Sequence, residues 1–147
     1  MSSPVSADLR QLVTTRADQL CEYSLIHADD VFVGCQVDHI ISEKHGGLTT
    51  PENLALACAF CNRAKGSDVG SVLGSAGEFV RLFNPRTDQW NEHFRLVGIR
   101  IEWRTSIGEA TARVLKLNEL ERIEEREALK NKGRFPTPAA LRRIRGS

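Results

Sequence analysis

The sequence lacks the features that would place the chain in a membrane or direct it to export. Its longest apolar runs, such as residues 54–58, are far shorter than the roughly 18 residues that a membrane-spanning helix needs. The first residues also lack a charged segment followed by an apolar one, which is the pattern of a secretion signal. We therefore expect a cytoplasmic protein with no membrane partner.

An excess of charge is absent as well. The chain has 20 basic and 19 acidic residues, a formal net charge of +1 at pH 7. A balance of this kind says nothing about partners for the chain as a whole, so any surface that binds nucleic acid must be local.

Cysteine is scarce, with four residues in 147. In a cytoplasmic chain these should be reduced thiols, which favours metal binding over a disulfide framework.

The length fits one domain, and the residue patterns predict an α+β fold. We predict a single domain over residues 1–131 and a basic tail over 132–147, which is either loosely ordered or forms a short helix at 139–144. The predicted elements are a helix from Ser6 to Leu20 capped by Ser6, strands within 31–41 and 54–57, a short helix from Cys58 ended by Gly66, a surface loop over 67–77, a hairpin over 93–103 around Gly98, a helix capped by Thr105 or Ser106, and a mostly solvated helix over 118–130.

The densest group of chemically active residues lies between positions 35 and 66. If the strand, loop, strand and helix of this segment fold back on themselves, Asp38, His39 and Asn62 converge. Carboxylate and amide oxygens are hard ligands that suit Mg²⁺ or Mn²⁺, and a neutral histidine can take a proton from water. These groups are sufficient for metal-dependent hydrolysis of a phosphodiester.

The order of these residues resembles that of the HNH endonucleases, which are built on a ββα-metal (His-Me) finger. The matching residues are Asp38-His39-Ile40-Ile41, Gly46-Gly47, Asn53-Leu54 and Cys58-x-x-Cys61-Asn62-Arg63-x-Lys65-Gly66. Asn53 follows His39 by fourteen residues and precedes Asn62 by nine, which are separations typical of the family. The likeness to stand-alone prokaryotic members extends over roughly residues 20–117.

The resemblance implies a DNA endonuclease with a finger core at about residues 21–66, an N-terminal helix, and a C-terminal hairpin followed by helices. His39 would be the general base, and Asp38 and Asn62 would hold the catalytic Mg²⁺ or Mn²⁺. Asn53 would hold the loop that orients His39, while Arg63 and Lys65 would contact the DNA backbone. RNA remains open as a substrate, as does a monomer or a homodimer as the assembly.

The resemblance also implies a structural zinc site between two Cys-x-x-Cys pairs. Cys58 and Cys61 form one pair, whereas the other keeps only Cys21 because Ser24 occupies the position of its partner. A serine hydroxyl is a poor substitute for a thiolate. Three zinc ligands are thus expected at Cys21, Cys58 and Cys61, and Cys35, His27 or water could supply the fourth, or the site could be weak or empty.

Two other classes of function stay open at this point. The finger could be a scaffold for a catalytically inactive module that binds nucleic acid. Alternatively, the cysteines could be the main feature of a zinc-stabilised interaction protein that has no affinity for nucleic acid.

Overall fold

The computed structural model describes residues 4–146 of the chain. It mixes helices and strands, which confirms the α+β prediction. The predicted boundaries of the domain and tail include residues 1–3 and 147, which lie outside the described residues.

The helices are α1 (Ala7–Arg16), α2 (Ala59–Lys65), α3 (Trp90–His93), α4 (Ser106–Val114), α5 (Leu120–Asn131) and α6 (Pro138–Arg145). The strands are β1 (Cys35–His39), β2 (Leu54–Cys58), β3 (Gly70–Leu73), β4 (Glu78–Arg81), β5 (Phe94–Val97) and β6 (Arg100–Trp103).

Within residues 4–146 the strands form three separate antiparallel pairs: β1 with β2, β3 with β4, and β5 with β6. In the first pair Cys35 lies opposite Cys58 and His39 lies opposite Leu54. The helix α2 begins directly after β2, so strand, loop, strand and helix follow in the predicted order. The candidate site residues are therefore carried by β1, its following loop and α2.

Local sequence accounts for several element boundaries. The Ser6 hydroxyl accepts a hydrogen bond from the Leu9 amide at 3.2 Å and caps α1 as predicted. Thr105 caps α4 in the same way, and its hydroxyl accepts a hydrogen bond from the Gly108 amide. The helix α1 ends at Arg16 rather than Leu20, because the backbone at Asp18 and Gln19 turns to positive φ.

Three predictions about the remaining chain need correction or completion. Residues 67–77 do not form a surface loop alone, because they contain β3, which pairs with β4 around a turn. The helix α5 is less solvated than predicted, since Arg122 and Arg126 are buried on it. Of the two alternatives for the tail, the structure contains the helix, over Pro138–Arg145, slightly longer than predicted.

Two hydrophobic clusters stabilise the fold. The larger cluster packs the segment around Tyr23 against the β5–β6 hairpin, the helix α4 and Phe135. The smaller one packs Val13 of α1 and Ala17, the residue that follows α1, against Leu54 and Leu56 of β2. Thus β2 is buried along its whole length, and it holds β1 and α2 in place.

The helices of residues 4–146 are all too short or too polar to cross a membrane.

Candidate functional site

The end of β1 carries a buried ion pair. Asp38 Oδ2 lies 2.9 Å from Lys65 Nζ of α2, and the Lys65 side chain is only 2% exposed. The same ammonium donates a hydrogen bond to the carbonyl oxygen of His39 at 2.9 Å. Burial raises the pKa of the Asp38 carboxyl above its ordinary value, although Lys65 opposes this shift. Lys65 is therefore the cation that faces Asp38.

The His39 ring lies against the loop that follows β1. Its Nε2 is 2.8 Å from the Thr49 hydroxyl and 3.6 Å from a carboxylate oxygen of Glu43. The ring is mostly buried, with 12% of the side chain exposed. Thr49 thus fixes one ring nitrogen and leaves Nδ1 as the second nitrogen able to exchange a proton.

A second contact joins α2 to β1 beside the ion pair. The Asn62 amide nitrogen donates a hydrogen bond of 2.7 Å to Gln36 Oε1. Gln36 and Asp38 lie on one face of β1 because side chains alternate along a strand. Asn62 and Lys65 lie on one face of α2 because they are three residues apart. The structure therefore brings Asp38 and Asn62 to the same side of the strand–helix unit.

Asn53 connects the two ends of the loop between β1 and β2. Its Oδ1 accepts a hydrogen bond from the Ile41 amide at 2.9 Å, and its Nδ2 donates to the carbonyls of Ile41 and Leu48 at 2.8 Å each. The loop approaches so closely that a Cβ atom on Gly47 would lie 1.7 Å from the Ile41 carbonyl oxygen. A side chain at position 47 would collide with this backbone.

Residues 21–68 match the HNH endonuclease family. The match covers about a third of the chain and contains both the His39 loop and Cys21, Cys58 and Cys61. It confirms the predicted resemblance over this segment, hereafter the HNH segment, and supports a nuclease-type function. Comparisons with curated proteins and with solved structures gave no significant match.

The cysteines of the HNH segment form a compact buried group. The Sγ atoms of Cys21, Cys58 and Cys61 lie within 4.8 Å of one another. In a tetrahedral site with Zn–S bonds of about 2.3 Å, neighbouring sulfur atoms are about 3.8 Å apart, so three thiolates at this spacing fit zinc. Among residues 4–146, neither Cys35 nor His27 belongs to this metal-capable group. Cys35 packs as a partly buried residue against both hydrophobic clusters, and His27 instead accepts the Asp29 amide.

Ser24 and Arg122 lie around the Cys58 sulfur. The Ser24 hydroxyl is 4.0 Å from Cys58 Sγ, and the two terminal nitrogens of Arg122 lie 3.4 and 3.5 Å from it. Hydrogen bonds from the Cys21 and Cys61 thiols, together with Arg122, lower the pKa of the Cys58 thiol. Burial raises the pKa of Cys21 to about 11. Arg122, which comes from outside the HNH segment, therefore lies where it can stabilise negative charge on the Cys58 sulfur.

Sequence reasoning did not anticipate several of these partners. No local sequence pattern marks these partners, because each contact joins residues that only the fold brings together. They are Thr49, Glu43, Gln36 and Arg122. Arg63 is exposed on α2, with its guanidinium 5.7 Å from the centre of the Phe60 ring. The DNA contacts of Arg63 and Lys65 stay predictions, and the burial of Lys65 favours a role inside the site.

Proposed function

We propose that the chain is a divalent-metal-dependent endonuclease that hydrolyses phosphodiester bonds in DNA. The observation that carries this proposal is the immobilised His39 ring, held by Thr49, at the end of the strand whose preceding residue, Asp38, pairs with Lys65 of α2. A site that only binds nucleic acid needs neither an immobilised imidazole nor a buried carboxylate in the preceding residue. The family match over residues 21–68 supports the same class of reaction.

His39 would act as the general base. The Thr49 contact at Nε2 orients the ring, so that Nδ1 would accept the proton of the attacking water. Asn53 would hold this loop at a fixed distance from β1 through its three backbone hydrogen bonds. The role of these residues is therefore to deliver a correctly oriented base to the scissile phosphate.

Asp38 and Asn62 would hold the catalytic Mg²⁺ or Mn²⁺. The donors fit such an ion, because a carboxylate and an amide present hard oxygens, and the Asn62 contact with Gln36 uses the amide nitrogen. A bound divalent cation supplies neutralisation of the charge that develops on the phosphate and the leaving oxygen. Lys65 would keep Asp38 ionised and in place when no cation is bound.

A plasmid-nicking assay with Mg²⁺ or Mn²⁺ tests the proposal. We expect His39→Ala to lower the rate by roughly 10²- to 10⁴-fold, the usual contribution of a general base. His45→Ala is the matched control, because it removes an exposed imidazole from the same loop. Nicking by His39→Ala at the wild-type rate would contradict the assignment. A gel shift without cleavage in any divalent ion would favour the inactive binding module instead.

A further inference from the structure

A cavity of about 410 Å³ lies away from the His39 loop. It is lined by the end of α1, the segment 83–90 that leads into α3, and the last turn of α6. Four arginines are among the residues that line it: Arg16, Arg86, Arg142 and Arg143. The nuclease chemistry proposed above uses none of them.

Positive charge exceeds negative charge around this cavity. Glu22 is buried in its wall, where it pairs with Arg86 and accepts the Leu56 amide at 2.9 Å. Asp18 lies 2.9 Å from Arg143 and 3.9 Å from Arg142. Asp88 also lines the cavity, but Arg81 binds it through two hydrogen bonds of 2.8 and 3.0 Å. With Asp88 neutralised by Arg81, which lies outside the lining, Glu22 and Asp18 are the two carboxylates beside the four lining arginines, which leaves an excess of two positive charges.

Arg16 shows the effect of this excess most directly. Its guanidinium donates to the Leu54 carbonyl at 2.6 Å, and within residues 4–146 no carboxylate lies within 4.0 Å of it. Burial and the neighbouring Arg86 lower its pKa. The Nε atom of Arg16 and one terminal nitrogen of Arg86 are buried without an acceptor in the described part of the chain. The cluster therefore contains more cationic donors than the protein can satisfy.

We propose that this cavity is a phosphate-binding site. A phosphate group carries up to two negative charges and several acceptor oxygens, and the planar fork of arginine binds it in a bidentate manner. The proposal goes beyond the nuclease function, because it concerns a separate site and does not depend on cleavage. The shared chemistry is the phosphate group, and its source is either the backbone of a nucleic acid or free phosphate.

The position of the cavity favours the nucleic acid backbone as the source. Arg16 binds the carbonyl of Leu54, and Leu54 lies opposite His39 in the strand pair. Glu22, which pairs with Arg86, binds the amide of Leu56 on the same strand. Two of the four arginines, Arg16 directly and Arg86 through Glu22, are thus held against β2, the strand that pairs with the His39 strand, which places the cavity where a bound DNA strand can also reach it.

The test measures binding in a His39→Ala background without divalent metal, so that the result is independent of cleavage. The variants are Arg142→Glu and, as the matched control, Arg145→Glu, which reverses an equally basic exposed residue on the same helix but outside the cavity. The probe is a short fluorescent DNA duplex, followed by anisotropy over a range of salt concentrations. Circular dichroism verifies folding, and Arg142→Gln is the milder substitution if Arg142→Glu does not fold.

We expect Arg142→Glu to weaken DNA binding by about tenfold and to flatten the salt dependence, with a clearly smaller effect of Arg145→Glu. A second arm measures the rise in Tm with inorganic phosphate against chloride at equal ionic strength. Loss of DNA affinity specific to Arg142 identifies the nucleic acid backbone as the source. Loss of the phosphate-dependent Tm rise alone identifies free phosphate. Equal DNA binding by both variants, with a phosphate-dependent Tm rise that is absent from the parent protein or unchanged in Arg142→Glu, would overturn the proposal.

Discussion

Lys65 and Asp38 form an ion pair with 2.9 Å between Nζ and Oδ2, and both side chains are largely buried. The pair connects α2 to the end of β1, immediately before His39. Since Lys65 also binds the His39 carbonyl, one ammonium both balances the Asp38 carboxylate and holds the backbone at His39, the proposed general base. Lys65 therefore contributes both to the stability of the contact between β1 and α2 and to the surroundings of the proposed catalytic residues.

Lys65→Met should destabilise the protein by about 3 kcal/mol, because it leaves the buried Asp38 carboxylate without its cation. Urea denaturation at pH 7 measures the loss. The double variant Asp38→Asn/Lys65→Met provides the control, since it removes the unpaired charge and should cost clearly less than the sum of the single changes. Strictly additive costs would show that the two groups do not interact.

Asn53→Ala should lower both stability and nicking, because it removes three hydrogen bonds to the backbone of the His39 loop. We expect a loss of about 2 kcal/mol in the free energy of unfolding and a larger proportional loss of cleavage rate.

Asn118→Ala is a matched control for that experiment. Asn118 binds both the amide and the carbonyl of Ile101, at 3.0 and 2.7 Å, in the same two-point manner but on a different strand pair. It should cost comparable stability and leave metal-dependent nicking nearly intact. An equal loss of cleavage in both variants would mean that Asn53 acts only through global stability.

The sequence could predict the elements whose signals are local. The cap at Ser6, the break at Gly66 and the hairpin around Gly98 depend on residues within a few positions of one another, and the structure contains all three. The spacing of His39, Asn53 and Asn62 likewise identified the HNH segment, because that pattern lies in a short stretch of chain.

The features that sequence missed depend on distant partners. Arg126 reads as an exposed residue in a charged helix, yet it is fully buried because its guanidinium binds the carbonyls of Ile99 and Leu117. Arg122 lies in the helix predicted to be mostly solvated, yet it is buried and contacts Cys58, a residue 64 positions away. The β3–β4 hairpin was missed because its glycines and serines resemble a loop, while its pairing is stabilised by α4 packed against it.

Asp88→Asn should make stability less dependent on pH. Burial alone would raise the pKa of Asp88, but hydrogen bonds from Arg81 and from the Asn84 amide outweigh it and lower the pKa. The unfolded carboxyl, with a pKa near 3.9, then binds more protons than the folded one, so the stabilisation is present above about pH 4 and is lost as the pH falls through the lower folded pKa.

We expect Asp88→Asn to cost roughly 1 to 2 kcal/mol at pH 7, and the difference from wild type to shrink toward pH 3. Urea denaturation across this range measures the two curves. Glu78→Gln, which changes an exposed carboxylate on β4, the strand that carries Arg81, is the control and should leave the curve close to wild type. A difference at Asp88 that stays constant with pH would contradict the assignment.

Ser24→Cys should tighten zinc binding by at least about tenfold. The Ser24 side chain already lies 4.0 Å from Cys58 Sγ and is fully buried, so a thiolate there would provide a fourth ligand to a group that has three. Loss of a supporting contact around a metal commonly changes affinity by roughly 10- to 100-fold, and a direct ligand should matter at least as much.

Competition with a chromophoric chelator measures the affinity, and Co²⁺ substitution reports the number of thiolates. Cys35→Ser is the control, because Cys35 lies outside the metal-capable group and its loss should leave affinity unchanged. Equal zinc affinity for Ser24→Cys and wild type would show that position 24 does not face the metal.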